Sequence, residues 1–177
     1  DYQPLGVPCP LTEGVTLSAY CQEHPHSACC ADPCNLLLHF NQANNEHNYV
    51  QLLAKHLRVA FPGLTPHFLI DTGRNGVDRS REDCADTCNV RAAGFGRRPT
   101  GETGFDLVDG YFWVKPPGES DGCRRGAPSC SSPDVDCAVE AALGSRAGEP
   151  AAPAAGAWFA PHAQALAMHA LEVPAQS

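Results

Sequence analysis

The sequence predicts an α/β protein built on a partial parallel sheet, preceded by a disulfide-rich, irregular N-terminal segment. Three observations carry this. Short apolar runs recur at residues 35–40, 67–70 and 108–115, each closed by polar or turn-forming residues. An amphipathic run separates the first two, so strand, helix and strand follow one another with short joins, the grammar of a parallel sheet. Residues 1–34 hold five of the ten cysteines together with Pro4, Pro8, Pro10, Pro25 and Pro33, a composition that resists long regular elements.

Taken in order, residues 1–34 read as a stapled irregular segment and residues 35–177 as the α/β module. The neighbours Cys29 and Cys30 are expected to bond to different partners, because a bridge between adjacent residues closes a strained ring. Asn35 to Phe40 reads as a buried strand, with His39 read as a core histidine and a site-lining one as the alternative. Asn44 or Asn45 can cap the next helix, whose Tyr49, Leu53, Leu57 and Ala60 share a face, with Val50 and His56 beside them. Pro62 and Gly63 end it. His67 to Ile70 is the second strand, and Asp71 to Gly76 the loop at its carboxyl end. Residues 77–106 are polar and loop-rich, with Arg97 and Arg98 read as surface. Val108 to Lys115 is the third strand, residues 123–156 a long excursion, and Ala157 to Leu171 a final helix.

A net charge of −8 and a pI near 5.4 argue against nucleic acid or an anionic membrane as partner. No apolar run approaches the ~20 residues of a membrane span. The start, Asp1-Tyr2-Gln3-Pro4, lacks the basic region and apolar core of a leader. Ten cysteines nevertheless point to an oxidising compartment, and a mature secreted chain fits both facts. Cys30-x3-Cys34 and Cys84-x3-Cys88 have ligand-like gaps, but neither is followed by a second pair at zinc-site spacing. Disulfides are therefore expected, and no metal or cofactor.

The chemistry concentrates in Tyr111-Phe112-Trp113-Val114-Lys115-Pro116-Pro117-Gly118-Glu119-Ser120-Asp121-Gly122. A buried strand breaks at Pro-Pro-Gly and then presents Lys115, Glu119 and Asp121 within seven residues. Charged groups at the carboxyl end of an apolar strand are how α/β folds commonly build sites. A solvated acidic loop is the plain alternative.

The run Leu107 to Gly122 closely resembles a signature of glycoside hydrolase family 6, cellobiohydrolases and endoglucanases acting on β-1,4-glucan. His67 to Gly76, Cys88-Asn89 with Gly94 to Thr100, and Ala155 to Phe159 match in the same order. The resemblance covers roughly residues 35–171 and is similar to the C-terminal part of the family's catalytic domain, so the sheet would be an incomplete modified β/α barrel. Such a layer leaves strand edges that invite an N-terminal partner chain or self-association.

By this resemblance Asp121 is the catalytic base of an inverting hydrolase, held by Arg74 and Lys115. Lys115 and Glu119 would bind glucose hydroxyls of a β-glucan. Two flanking cations would keep Asp121 ionised. The resemblance also pairs Cys88 with Cys137. Cys123 and Cys130 enclose a short loop and are expected to pair locally. Cys84 is then left to bond into residues 9–34, because five N-terminal thiols are an odd number.

Three departures from the family's pattern matter. Nothing before Arg74 resembles the motif of the family's general acid. Thr87 stands where the family has a sugar-stacking Trp, and Pro117 replaces a glycine in the turn. Three function classes follow: a secreted cellulose hydrolase incomplete or inactive as a single chain, a non-catalytic carbohydrate-binding relative, and an extracellular building block.

Overall fold

A computed structural model describes residues 2–33, 37, 42–81, 83–127, 130 and 137–170. They form two compact units. One comprises residues 3–70 and 100–111, the other residues 1–2, 71–99 and 112–177.

The first unit opens with a helix that the proline content did not predict, α1 (Leu17–Glu23). Thr16 caps it, its side chain accepting from the Ala19 N–H at 3.2 Å. A 3-10 turn follows at Ala28–Cys30. Disulfides Cys9–Cys29 and Cys21–Cys30 fasten the turn to the preceding chain and to α1, so Cys29 and Cys30 do take different partners. Cross-links and a cap, rather than propensity, let seven residues hold a helix too short to persist alone. The expected strand at 35–40, with His39, lies outside the described residues.

Helix α2 (Glu46–Ala60) starts where Asn45 caps it, accepting from the Asn48 N–H at 2.8 Å. Glu46 in its first turn and Arg58 in its last complement the helix dipole. The buried face, however, is His47, Asn48, Val50 and Ala54, while Tyr49 is 41 % exposed. This corrects the face expected from Tyr49, Leu53, Leu57 and Ala60. The reason is polar satisfaction. Asn48 accepts from the Cys9 N–H at 2.8 Å and donates to the Cys29 carbonyl at 3.1 Å. His47 Nδ1 meets the Gly6 carbonyl at 2.8 Å, and Nε2 lies 3.0 Å from the Tyr111 hydroxyl. The N-terminal segment supplies the partners that make two polar residues good core residues. A groove of about 700 Å³ runs along the other side of α2, lined by Leu11, Val15, Leu52, Lys55, His56 and Val59.

Strands β1 (Phe68–Asp71) and β2 (Val108–Phe112) pair in a two-stranded sheet. The Phe68 N–H donates to the Leu107 carbonyl and the Thr72 N–H to that of Phe112. Donors and acceptors advance together, so the strands are parallel. Val50, Ile70, Val108 and Tyr111 form the core beneath it, with Leu5, Phe68, Phe105 and Leu107 around them. Each such side chain contributes about 1.5–3 kcal/mol when fully buried.

β2 ends at Phe112, not Lys115. Beyond it the Asp71 carboxylate accepts from the N–H groups of Gly73 (2.9 Å), Val114 (3.3 Å) and Lys115 (3.1 Å). A side chain thus takes over the backbone donors that a longer strand would have used. The last helix, α3 (Ala160–Met168), also starts later than expected and has Pro161 in its first turn. Ala157 and Trp158 are committed elsewhere, as described below. Residues 137–156 form no helix or strand, in keeping with an excursion.

Candidate active site

The site assembles in the second unit where the loops after β1 and β2 meet. Arg74 is fully buried. Its Nη1 donates to both oxygens of Asp121, at 2.7 and 2.8 Å. Its Nε donates to the Pro117 carbonyl at 3.1 Å and its Nη2 to that of Glu119. One guanidinium therefore fixes the backbone of the loop as well as its carboxylate, a task for which the rigid fork of Arg is suited. Lys115 Nζ donates to Asp121 Oδ1 from a half-exposed position. The three residues singled out as catalytic are thus brought together, with the Asp121 side chain only 10 % exposed.

Two further groups complete the cluster. Tyr2 donates its hydroxyl to Asp121 Oδ2 at 2.5 Å and accepts from Arg74 Nη1 at 2.8 Å. Its ring lies against the Arg74 guanidinium, 5.5 Å from centroid to Cζ. The Asn89 N–H donates to Oδ2 at 2.8 Å, while its own side-chain oxygen accepts from the Asp121 N–H at 2.8 Å. Asn89 adopts φ 40°, the left-handed region that Asn tolerates better than most residues. Cys88 beside it bonds to Cys137, as the resemblance implied, and Cys123 bonds to Cys130. Cys84 is disulfide-bonded too. The remaining N-terminal cysteine, Cys34, lies outside the described residues.

Burial raises the proton affinity of the Asp121 carboxyl. Arg74, Lys115, Tyr2 and the Asn89 N–H together outweigh it and hold its pKa at about 2. Burial and the Asp121 charge push the Tyr2 hydroxyl well above its ordinary value, so it remains a donor. The result is a carboxylate ionised at neutral pH and of fixed orientation, with both oxygens occupied. Lys115, the most exposed of these partners, shares Oδ1 with the buried Arg74.

Glu119 belongs to the same loop, and its backbone pairs with Trp158 in an isolated antiparallel bridge. Sequence reasoning missed Tyr2 because a lone tyrosine 119 residues from its partner leaves no local pattern. It also missed His162, which is fully buried on α3 with neither ring nitrogen hydrogen-bonded among the described residues. Burial, followed by the charge of Arg74, pushes its pKa down to about 4.

His162 therefore protonates more readily in the unfolded chain than in the folded one. Stability is fully present above about pH 6.5, and it is lost as pH falls through the window down to about 4. The loss by pH 4 is about 3 kcal/mol. A His162→Phe variant is expected to keep or raise its Tm at pH 7 and to lose most of the decline between pH 6.5 and 4. Thermal melts across that range check it.

Residues 26–170 match the sequence model of the family described as glycosyl hydrolases family 6. The chain belongs to that family. Among similar proteins, the 1,4-beta-D-glucan cellobiohydrolase CEL6C of Podospora anserina is 44 % identical over 101 residues, 54 % of this chain and 25 % of that protein. Exoglucanase 3 of Agaricus bisporus is 42 % identical over 132 residues, 73 % of this chain and 27 % of its own. The family 6 chain thus spans about a quarter of the length of these relatives. Among solved structures, the catalytic core domain of the cellobiohydrolase Cel6A from Chaetomium thermophilum superposes with a TM-score of 0.63 at 35 % identity. That match covers 79 % of this chain and 36 % of the Chaetomium chain. CcCel6C of Coprinopsis cinerea, a family 6 enzyme, gives 0.62 at 30 % identity, covering 87 % and 43 %.

Proposed function

We propose that the chain carries the carboxylate half of an inverting β-1,4-glucan hydrolase, binding cellulose-type chains at the Asp121 loop. The observation that carries this is the Asp121 carboxylate itself, held ionised by Arg74, Lys115, Tyr2 and the Asn89 N–H. A fixed anion in a largely buried setting suits a reaction whose transition state places positive charge on the sugar ring. Asp121 acts as the base toward a water molecule, and Arg74 and Lys115 position it. Lys115 and Glu119 hold glucose hydroxyls. The related CcCel6A catalytic domain forms a complex with such a sugar, p-nitrophenyl β-D-cellotrioside.

Inversion also needs a carboxylic acid about 6.5–9.5 Å from the base to protonate the leaving oxygen. Asp71 is occupied by three backbone N–H groups, and no stretch before Arg74 resembles the family's acid motif. In this reading these residues bind glucan without turning it over, and the proton donor comes from outside them. The disulfides fit a secreted protein. No helix among the described residues is long and apolar enough to cross a membrane.

The pure chain is expected to sediment with insoluble cellulose while releasing no reducing sugar from soluble cellulose above the blank. Robust turnover by the pure chain would contradict the proposal and make Asp71, Asp109 and Glu119 the first residues to substitute.

A further inference from the structure

Trp158 is one of two tryptophans in the chain and is 65 % exposed, yet it is not loosely placed. The Ser120 N–H donates to the Ala157 carbonyl and the Phe159 N–H to that of Gly118, each at 2.8 Å. These two bonds flank the pair Glu119 and Trp158. That is the non-hydrogen-bonded position of an antiparallel pair, where opposed side chains leave the backbone on the same side and approach most closely. Beneath the indole lies Gly118. A Cβ there would meet Trp158 Cη2 at 2.4 Å and Cζ3 at 2.5 Å, so the absence of a side chain lets the ring sit down on the backbone. The chain therefore seats a large, exposed aromatic ring on Gly118, at the position opposite Glu119 in the loop that carries Lys115 and Asp121.

We propose that Trp158 is a stacking platform for a glucosyl ring whose hydroxyls bond Glu119, a sugar subsite built by the α3 entry rather than by the position that Thr87 occupies. A β-1,4-linked glucosyl residue has equatorial hydroxyls at its rim and axial C–H groups on its faces. Its face is apolar enough to lie on an indole while its rim reaches an adjacent carboxylate. An aromatic body beside one fixed polar group is the usual make-up of a small-molecule site. The Trp158 ring is already seated on Gly118, so binding requires little ordering of the platform.

The inference rests on the glucan-binding reading above, and its test separates the two. Cellotetraose is titrated into the whole chain by calorimetry. It is also titrated into a Trp113→Phe variant by fluorescence, since that variant keeps a ring stacked on Phe95 and leaves Trp158 the sole tryptophan. Saturable change in the Trp158 emission is expected. Trp158→Ala should weaken Kd about tenfold or more with its thermal melt retained, and Trp158→Phe should recover part of the affinity. Full-affinity binding by Trp158→Ala, with loss in Glu119→Ala, would overturn the platform and leave the glucan reading standing. No binding by the wild-type chain would overturn both.

Discussion

Replacing Asp121 by Ala is expected to cost about 3–5 kcal/mol of stability, because it strands a fully buried Arg74 without its counter-charge. The loss should exceed that of an ordinary surface ion pair, which contributes about 0–1 kcal/mol. Tyr2 and the Asn89 N–H would lose their acceptor in the same step. In a chain of this size the change should lower Tm by about 6 °C or more. An unaltered melt would mean that the cluster is solvated. The same carboxylate sets an acid limit. Its folded pKa of about 2 lies below the ordinary 3.8. Its contribution is therefore present above about pH 4 and lost as pH falls toward 2, to the extent of about 2 kcal/mol. This window lies below that of His162, so acid unfolding should proceed in two arms, only the lower of which disappears with Asp121→Asn.

Removing the Cys88–Cys137 bridge is expected to have a comparable effect by a different route. It joins residues 49 apart, and releasing a loop of that size adds unfolded-state entropy worth about 4 kcal/mol. The Cys123–Cys130 bridge, with a separation of 7, should cost about 2–3 kcal/mol on the same basis. Local consequences also differ. Cys88 immediately precedes Asn89, whose backbone and side chain both bond Asp121. A Cys88→Ala/Cys137→Ala chain should therefore lose cello-oligosaccharide affinity as well as stability, measured by urea unfolding and calorimetry. Equal denaturation midpoints for the two bridge-deleted variants would contradict the argument.

The parts of the site that were legible in the sequence are those carried by contiguous runs that resemble the family's. Lys115, Glu119 and Asp121 follow a strand within one short loop, and Arg74 follows another strand. The parallel pairing of β1 and β2 then brings Arg74, Lys115 and Asp121 together. What was not legible depends on distant polar partners. The periodicity of α2 favoured Tyr49, Leu53 and Leu57 as its inner face. His47 and Asn48 turn inward instead, because Gly6, Cys9 and Cys29 offer them backbone partners. Tyr2 came from a segment with no functional pattern, and only folding reveals that its hydroxyl bridges Arg74 and Asp121. Strand and helix ends shifted for a similar reason. Asp71 took the N–H groups after Phe112, and residues 118–120 took the backbone of 157–159.

The proposed function places a glucan at one loop of one unit, and backbone amide chemical-shift mapping with cellotetraose tests that placement most directly. The account predicts shifts concentrated at Lys115 to Gly122, with Arg74, Asn89 and the Trp158 indole moving with them. A spectrum unchanged at saturating sugar would contradict it. So would shifts confined to the groove along α2.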